Sequence, residues 1–219
     1  MYVPAHFQET RSEALQALMR EHPLATLVVS SADGLVANHI PLQYDPQPAP
    51  FGTLRGHVAR ANPLWRVYAE YAQTPAAGEA LAIFQGPHSY VSPSWYPSKL
   101  EHGKAVPTWN YAVAHVCGPL RIVEDTQRLR AIVEMLTQRH ESGRPDPWQI
   151  ADAPSDYIEQ LLKAIVGIEM PIAKITGQWK ASQNRSVADR AGVINGLTAE
   201  SDSNINAPAM ADLVRETLQ

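Results

Sequence analysis

The 219-residue chain has 22 acidic and 18 basic side chains, so its formal net charge is −4 when the histidines are neutral. This balance argues against broad electrostatic capture of nucleic acid, because such binding needs a basic face. With 45% hydrophobic and 18% charged residues the composition is that of a soluble globular protein, and no apolar run approaches the roughly 20 residues that span a bilayer. The single cysteine, Cys117, excludes an intramolecular disulfide framework. It fits a reducing compartment, and residues 1–7 do not resemble a signal peptide, so we expect a cytoplasmic protein.

The first part of the chain predicts strands joined by hairpins, with two helices among them. Residues 10–13 are typical of a capping box, and apolar residues recur after them at helical spacing up to His22. A turn at 32–34 separates two β-rich runs, which predicts a β-hairpin. Asn62 is a good N-cap and Pro63 suits the first helical position, so a second helix begins there. The predicted strands cover 24–31, 35–44, 53–58 and 80–85.

The second part predicts more helix. Asp125 is the expected cap of an amphipathic helix that ends near His140. In chain order the predicted elements are a strand over 111–123, helices over 125–140 and 155–164, a strand over 166–175, a polar segment over 177–185, a short helix from 187 and a last helix over 209–218.

The order of these elements favours an α+β fold built around an antiparallel sheet or a small barrel. A doubly wound parallel sheet is disfavoured, because the first three strands lack helical crossovers. We expect one domain over residues 1–196 and a mobile C-terminal tail with a short helix over 197–219.

Two short runs combine residues that a hydrophobic core does not need. Residues 85–97 and 107–111 hold aromatic rings, prolines, hydroxyls, amides and His88 around a spacer. Rigid prolines, flat rings and short polar groups suit a wall that holds a planar ligand with polar edges. An irregular, proline-rich surface loop is the alternative interpretation.

The stretch 55–63 runs from a strand through a short turn to the start of a helix. A helix start offers free backbone N–H groups that favour a phosphate. Arg60 would add a bidentate contact and Asn62 a side-chain donor. A capped helix with an exposed arginine is the alternative.

Three histidines, His39, His57 and His88, lie in or beside predicted strands. A lone strand histidine is usually structural, but three near one end of a small sheet favour a shared pocket. Asn38 and His39 interrupt an apolar strand and either form an outward polar face or offer donors and acceptors to the edge of a heterocycle.

A further polar and aromatic cluster covers residues 179–185, in which Lys180 and Arg185 suit a phosphate or an acidic partner. A solvated loop is the alternative. The chain has no evident acid–base pair, nucleophilic triad or metal-ligand spacing, so no catalytic residue and no metal site is assigned. A bound cofactor would carry any chemistry.

Several motifs occur in an order that resembles one family. The chain resembles the PaiB-type FMN-binding negative transcriptional regulators over roughly residues 1–196. The motifs that carry this resemblance are Met-Tyr-x-Pro-x-His-Phe at 1–7, Ala-Asn-His-Ile-Pro at 37–41, Gly-His-Val-Ala-Arg-Ala-Asn-Pro at 56–63, Gly-Pro-His-Ser-Tyr-Val-Ser-Pro-Ser-Trp-Tyr at 86–96, Val-Pro-Thr-Trp-Asn-Tyr at 106–111 and Lys-Ala-Ser-Gln-Asn-Arg at 180–185.

The resemblance implies a mainly antiparallel, FMN-binding split β-barrel with peripheral helices. It also implies a homodimer with FMN at the subunit interface. By analogy, residues 37–41 would edge the isoalloxazine, His57 and the turn at 60–62 would hold the phosphate, and the aromatic wall with 108–110 would close the pocket. The expected cofactor-binding residues are Asn38, His39, His57, Arg60, Asn62, Trp95, Thr108, Trp109, Asn110 and Lys180.

The resemblance implies a negative transcriptional regulator that acts directly or indirectly. No helix-turn-helix is evident, and the net charge does not support direct DNA binding. Two alternatives stay open. One is a flavin-dependent oxidoreductase acting on a small substrate, and the other is a haem-handling split barrel with His39, His57 or His88 as the ligand.

Overall fold

The computed structural model describes residues 1–72 and 79–218. The chain forms two compact units, each assembled from separated segments. The first unit contains residues 1–21, 85–114 and 176–219, and the second contains residues 22–84 and 115–175. The strand pairs are antiparallel and the helices lie at the periphery, so the predicted α+β class is confirmed.

The strands include the hairpin that the sequence predicts. In chain order they are β1 (Gln8–Glu9), β2 (Leu24–Ser31), β3 (Gly34–Pro41), β4 (Gln43–Asp45), β5 (Thr53–Ala59), β6 (Ala80–Val91), β7 (Thr108–Gly118), β8 (Arg121–Val123), β9 (Ile165–Pro171) and β10 (Lys174–Lys180).

All but one of the described α-helices lie where the sequence predicts a helix, and the short helix over Ser98–His102 was not predicted. The helices are α1 (Ser12–Glu21), α2 (Leu64–Tyr71), α3 (Ser98–His102), α4 (Thr126–Glu141), α5 (Ser155–Lys163), α6 (Val187–Ala199) and α7 (Ala207–Glu216), with short 3-10 helices at Ala5–Phe7, Pro93–Trp95 and Ile150–Asp152.

The second unit contains the predicted hairpin. Strands β2 and β3 pair from Leu24 opposite Pro41 to Ser31 opposite Gly34, and β2 also pairs with the start of β6. A four-stranded sheet follows the order β4-β5-β9-β8. The Asp125 side chain accepts a hydrogen bond from the Arg128 N–H at 2.9 Å, which confirms the predicted cap of α4. Helices α4 and α5 and the 3-10 helix Ile150–Asp152 between them bury apolar side chains in a shared cluster: Leu129, Ile150, Ile158 and Leu162.

The first unit has the strand order β1-β10-β7-β6. Gln8 pairs with Gln178, and Glu9 pairs with Gly177. Helices α6 and α7 supply an apolar cluster against the end of β6 and the segment after it. Its buried members are Val91, Tyr96, Ala181, Val193, Leu197, Ala207, Met210, Ala211 and Val214.

The C-terminal tail carries a packed helix. Helix α7 begins at Ala207, two residues before the predicted start, and Met210 and Val214 are fully buried. Burial of these side chains removes apolar surface from water, which stabilises the docked helix. The division at residue 196 and the mobility of the tail stay predictions.

Among the predicted strand boundaries that are wrong are the ends of β6 and β10. Strand β6 continues to Val91, beyond the predicted end at 85, although Pro87 argues locally against a strand. Gly86 permits close packing on α1, since a Cβ there would lie 2.4 Å from Cδ1 of Leu18. Strand β10 covers 174–180, where a polar segment was predicted from 177, because β1 supplies it with a partner distant in sequence.

Candidate functional site

In the second unit, the edge strand β3 is linked to the start of helix α2. The Asn62 side chain donates from Nδ2 to Oδ1 of Asn38 at 2.8 Å. Its Oδ1 accepts from the Leu64 N–H at 2.9 Å, and the N-cap position of α2 falls at Pro63, one residue after the predicted cap. Asn62 is therefore committed twice, once to the helix and once to the strand. These contacts bring the two predicted site residues Asn38 and Asn62 together.

His39 lies on the exposed side of β3. Its Nδ1 is 3.1 Å from Oγ1 of Thr26, on the neighbouring strand. Strand β3 is the last strand of its sheet order, and most of its residues are accessible. This edge consequently offers unpaired backbone groups together with the His39 ring.

His57 is the site residue of the second unit with an unmet hydrogen-bonding need. It lies on β5 opposite Gly167 of β9. Its Nδ1 is buried and has no hydrogen-bond partner among the described residues. Burial lowers the pKa of His57 below its ordinary value of 6.5, so the ring is neutral near pH 7. A neutral imidazole with a free ring nitrogen suits a polar ligand atom.

Arg60 is held by the protein itself. Its Nε donates to the carbonyl oxygen of Lys163 at 2.9 Å, and its Nη2 donates to that of Ile165 at 3.2 Å. Its Nη1 donates to Glu124 at 2.9 Å. The guanidinium thus ties the end of β5 to the junction of α5 and β9. A phosphate role for Arg60 stays a prediction, and a phosphate would compete there with the Glu124 carboxylate.

In the first unit, the predicted run 108–110 divides between two faces. Successive residues of a strand point to opposite sides of the sheet. Accordingly Trp109 is 54% exposed, whereas Asn110 is 1% exposed. The Trp109 ring lies 6.3 Å from that of His88 and 6.2 Å from that of Tyr90, measured between centroids. The exposed Tyr90 and Trp109 and the half-buried His88 form a group, which we call the aromatic face.

Asn110 belongs to a buried polar cluster on the other side. Its Nδ2 donates to Oγ of Ser182 at 2.9 Å, and its Oδ1 is buried with no partner among the described residues. Ser182 has a left-handed backbone with φ of 61°, which is uncommon for a residue other than glycine. Such strain persists only where surrounding contacts hold it, and it occurs often at ligand sites.

Lys180, at the end of β10, contacts Thr108. The Nζ group donates to Oγ1 of Thr108. Burial and the nearby charge of Arg185 lower the pKa of Lys180 below its ordinary value. The Arg185 guanidinium lies 4.9 Å from the ring centroid of Tyr96. Two cations therefore lie near each other at this position.

Trp95, predicted to line the cofactor pocket, packs against helix α6. A Cβ added at Gly196 would lie 2.2 Å from Cδ2 of Trp95, and one added at Gly192 would lie 1.9 Å from its carbonyl oxygen. The two glycines of α6 thus make room for the tryptophan. Contact of Trp95 with a cofactor stays a prediction.

The sequence prediction missed Ser182 as a structural partner of the site. Its signal was present, because Ser182 lies in the motif at 180–185 that carried part of the family resemblance. Its left-handed backbone and its bond to Asn110 could not be read from residue types. No helix of the described residues is long and apolar enough to cross a membrane.

Antiparallel strand pairs with peripheral helices place this chain in the α+β class. The family described as "Putative FMN-binding domain" matches residues 1–174, and the chain belongs to this family.

Relatives with similar sequences extend over the whole chain. The chain is 32% identical over 219 residues to the Bacillus subtilis protein named "Protease synthase and sporulation protein PAI 2", covering 100% of this chain and 99% of that protein. It is 34% identical over 245 residues to an uncharacterized protein of Emericella nidulans, covering 99% and 97%.

The fold is also similar to that of a solved structure, the "FAD and Heme binding protein" of Mycobacterium smegmatis. The TM-score is 0.57 at 20% identity, with 79% of this chain and 73% of that chain covered. This likeness supports the fold class.

Proposed function

We propose that this chain binds FMN through the residues predicted from the sequence and acts as a negative transcriptional regulator, directly or indirectly. One structural observation carries the cofactor part of the proposal. His57 and Asn110, both expected cofactor residues, each keep a buried polar atom without a partner. Leaving such an atom unpaired is costly, and a bound ligand with polar edges removes that cost.

Family membership supplies the identity of the ligand. FMN carries a planar ring with polar edges, ribityl hydroxyls and a phosphate, and when bound it supplies electron or hydride transfer. The neutral His57 ring would orient a polar atom of the cofactor. Asn110 would accept a hydrogen bond from it.

The regulatory part rests on the relative PAI 2 of Bacillus subtilis, whose name refers to protease synthesis and sporulation. The similarity extends over the full length of both chains, so the whole relative can be compared with this protein.

We further propose a cytoplasmic homodimer with FMN at the subunit interface. The exposed edge strand β3 supports this proposal, since an unpaired strand edge favours association with a second chain.

An FMN titration tests the cofactor proposal. The purified protein is titrated with FMN while the flavin absorption and fluorescence are recorded. Binding at micromolar concentrations is expected, and His57→Phe and Asn110→Asp should weaken it. Gln43→Met is the matched control, because Gln43 also has a buried oxygen without a partner but lies outside the expected site. Absence of FMN binding by the folded wild type would refute the proposal.

The regulatory proposal needs its own experiment. Deletion of the gene from its host should raise a defined set of transcripts. Retardation of promoter DNA that weakens with rising salt would identify direct action, and derepression without DNA binding would identify indirect action. Unchanged transcript levels would contradict the regulatory role.

A second candidate function is a flavin-dependent oxidoreductase. The aromatic face formed by His88, Tyr90 and Trp109 favours it, because exposed aromatic side chains commonly stack on planar ligands. Rapid mixing of the FMN-loaded protein with NADH or NADPH tests this function. Bleaching of the flavin absorption would support it, and an unchanged spectrum would count against it. A haem titration with a Soret shift addresses the remaining alternative.

A further inference from the structure

A cleft lies within the second unit, between helix α4 and the segment 147–151 that returns beside it. We call it the α4 cleft. Its volume is about 570 Å³, which is within the range of roughly 300–1,000 Å³ that is common for small-molecule sites. Among the described residues that line it, none was expected to bind FMN. The wall on the side of α4 consists of Arg130, Glu134, Thr137, Gln138, Glu141 and Ser142.

Both walls of the α4 cleft are fixed by contacts within the protein. The Trp148 N–H donates to Oε2 of Glu141 at 3.1 Å, which joins one wall to the other. The Gln149 N–H donates to Oδ2 of Asp152 at 2.8 Å, and Ile150 is buried in the apolar cluster between α4 and α5. A ligand would therefore meet a preformed site, which lowers the entropic cost of binding.

Two carboxylates of α4, those of Glu134 and Glu141, face the cleft against one guanidinium, that of Arg130. They are two helical turns apart, which is about 10 Å along the axis at 1.5 Å per residue. Glu134 pairs with Arg130 at 3.0 Å, and Glu141 pairs with Arg144 at 3.1 Å. These arginine side chains are 41% and 65% exposed, so the pairs are weak. Because a carboxylate has about four lone-pair sites, each can also accept a second cation.

Trp148 supplies the opposite wall with an aromatic ring that is 44% exposed. In the part of the chain that the structure describes, no cation of the protein lies over this ring. The face of an indole attracts a cation, and its apolar area suits a hydrocarbon chain. An inorganic cation would gain nothing from the apolar area. Tryptophan and carboxylates in one cleft therefore favour an organic cation.

We propose that the α4 cleft binds a linear organic dication, which is an aliphatic chain with an ammonium group at each end. One ammonium group contacts Glu141 beside Trp148, and the other contacts Glu134. The chain between them lies along the cleft. A single ammonium group would leave one carboxylate without a ligand, and an anion would meet more carboxylates than guanidinium groups. Binding at this cleft does not depend on the proposed binding of FMN.

A calorimetric titration of the purified full-length protein with 1,8-diaminooctane tests the proposal. The extended chain of this dication matches the separation of the two carboxylates. Two comparison ligands are titrated in the same way. The chain of 1,4-diaminobutane is too short to reach both carboxylates, and octylamine carries one charge. Each should bind about tenfold more weakly than 1,8-diaminooctane, because each loses one charge-assisted hydrogen bond.

Variants of the cleft locate the binding site. Glu134→Gln and Glu141→Gln should each lose about tenfold in affinity for 1,8-diaminooctane, while glutamine keeps an acceptor for the Trp148 N–H. Trp148→Leu should weaken binding of all three amines. The control Glu159→Gln removes an exposed carboxylate of α5 outside the cleft and should leave the affinity unchanged. Circular dichroism checks that each variant is folded.

The outcomes separate this inference from the proposed function. If the wild type binds 1,8-diaminooctane but not FMN, the proposed function fails and the cleft stands as a dication site. Absence of diamine binding by the folded wild type at millimolar concentrations overturns the inference. Equal affinity for the three amines also overturns it, because the cleft would then not recognise two charges. The same loss in Glu159→Gln as in Glu141→Gln would mean unspecific attraction and would overturn it as well.

Discussion

Asn62 donates to Asn38 across 2.8 Å while its own amide oxygen accepts from the Leu64 N–H. One side chain thus contacts the first turn of helix α2 and fixes it to the edge strand β3. The sequence predicted the helix start and the strand edge as separate parts of a ligand site. In the structure the Asn62 side chain joins them by hydrogen bonds. A substitution at either residue should therefore alter the structure around the other.

Replacing Asn62 by alanine removes both bonds, whereas replacing Asn38 removes only the shared one. We expect Asn62→Ala to lower the free energy of unfolding by about 1–2 kcal/mol and Asn38→Ala to lower it by no more than about 1 kcal/mol. Urea denaturation of the two variants and the wild type measures this difference. Equal losses would mean that the hydrogen bond from the Leu64 N–H contributes nothing to the free energy of unfolding.

Lowering the pH should destabilise the fold through His57. Its pKa in the folded state lies below the ordinary value of 6.5 because of burial, so the unfolded chain takes up a proton that the folded chain resists. Stability is therefore highest above pH 6.5 and falls as the pH drops below it. His57→Gln should show a smaller loss between pH 7.5 and about 5.5, as measured by denaturation at each pH.

Two further histidine variants make this measurement specific. Burial also lowers the pKa of His115, so His115→Gln should reduce the pH dependence in the same direction. The exposed His140, on α4, supplies the control variant His140→Gln. A pH profile that stays as steep in His57→Gln as in the wild type would contradict the assignment.

Adding a methyl group at Gly196 should disturb the packing of Trp95. The new Cβ would approach the indole at 2.2–2.6 Å, well inside contact distance. Gly196→Ala should therefore cost about 1–3 kcal/mol of stability, the range usual for overpacking. Gly143→Ala is the control, because no atom lies within 4 Å of the added Cβ there, and thermal melting compares the two. A loss of the same size in both variants would rule out the contact as the cause.

Arg60 and Glu124 should differ in their importance for stability. Arg60 donates to two backbone carbonyl groups, and Arg60→Ala leaves both without their partner, so we expect a loss of about 1–2 kcal/mol. Glu124→Ala removes only an exposed ion pair and should cost at most about 0.5 kcal/mol. Denaturant unfolding checks the stabilities. An FMN titration of Arg60→Ala then tests the predicted cofactor role separately.

Local signals in the sequence predicted much of the fold. The turn at 32–34 specified the hairpin of β2 and β3, and the cap Asp125 specified the start of α4. The predicted cap Asn62 placed the start of α2 within one residue of the observed N-cap, Pro63. Each of these features depends on residues close in the chain, so residue types and spacing are sufficient to recognise it.

Features that depend on distant partners were missed. The end of β10 becomes a strand because β1 pairs with it. The packing of Trp95 against Gly192 and Gly196 of α6 was not predicted either. The division of Trp109 and Asn110 between two faces follows from the extension of β7 to residue 108, which was predicted to begin at 111. The family resemblance predicted the motifs of the site. It could not predict which residues distant in sequence pack against them.

The pairing of Glu9 with Gly177 has a consequence for synthesis of the chain. During translation the short strand β1 leaves the ribosome long before β10 is synthesised. Its backbone groups therefore have no β10 partner until most of the protein has been made. The second unit needs only residues 22–175 and can fold first. Pairing of β1 with β10 in the first unit then comes late, and its rate is limited by the entropy of closing a very long loop.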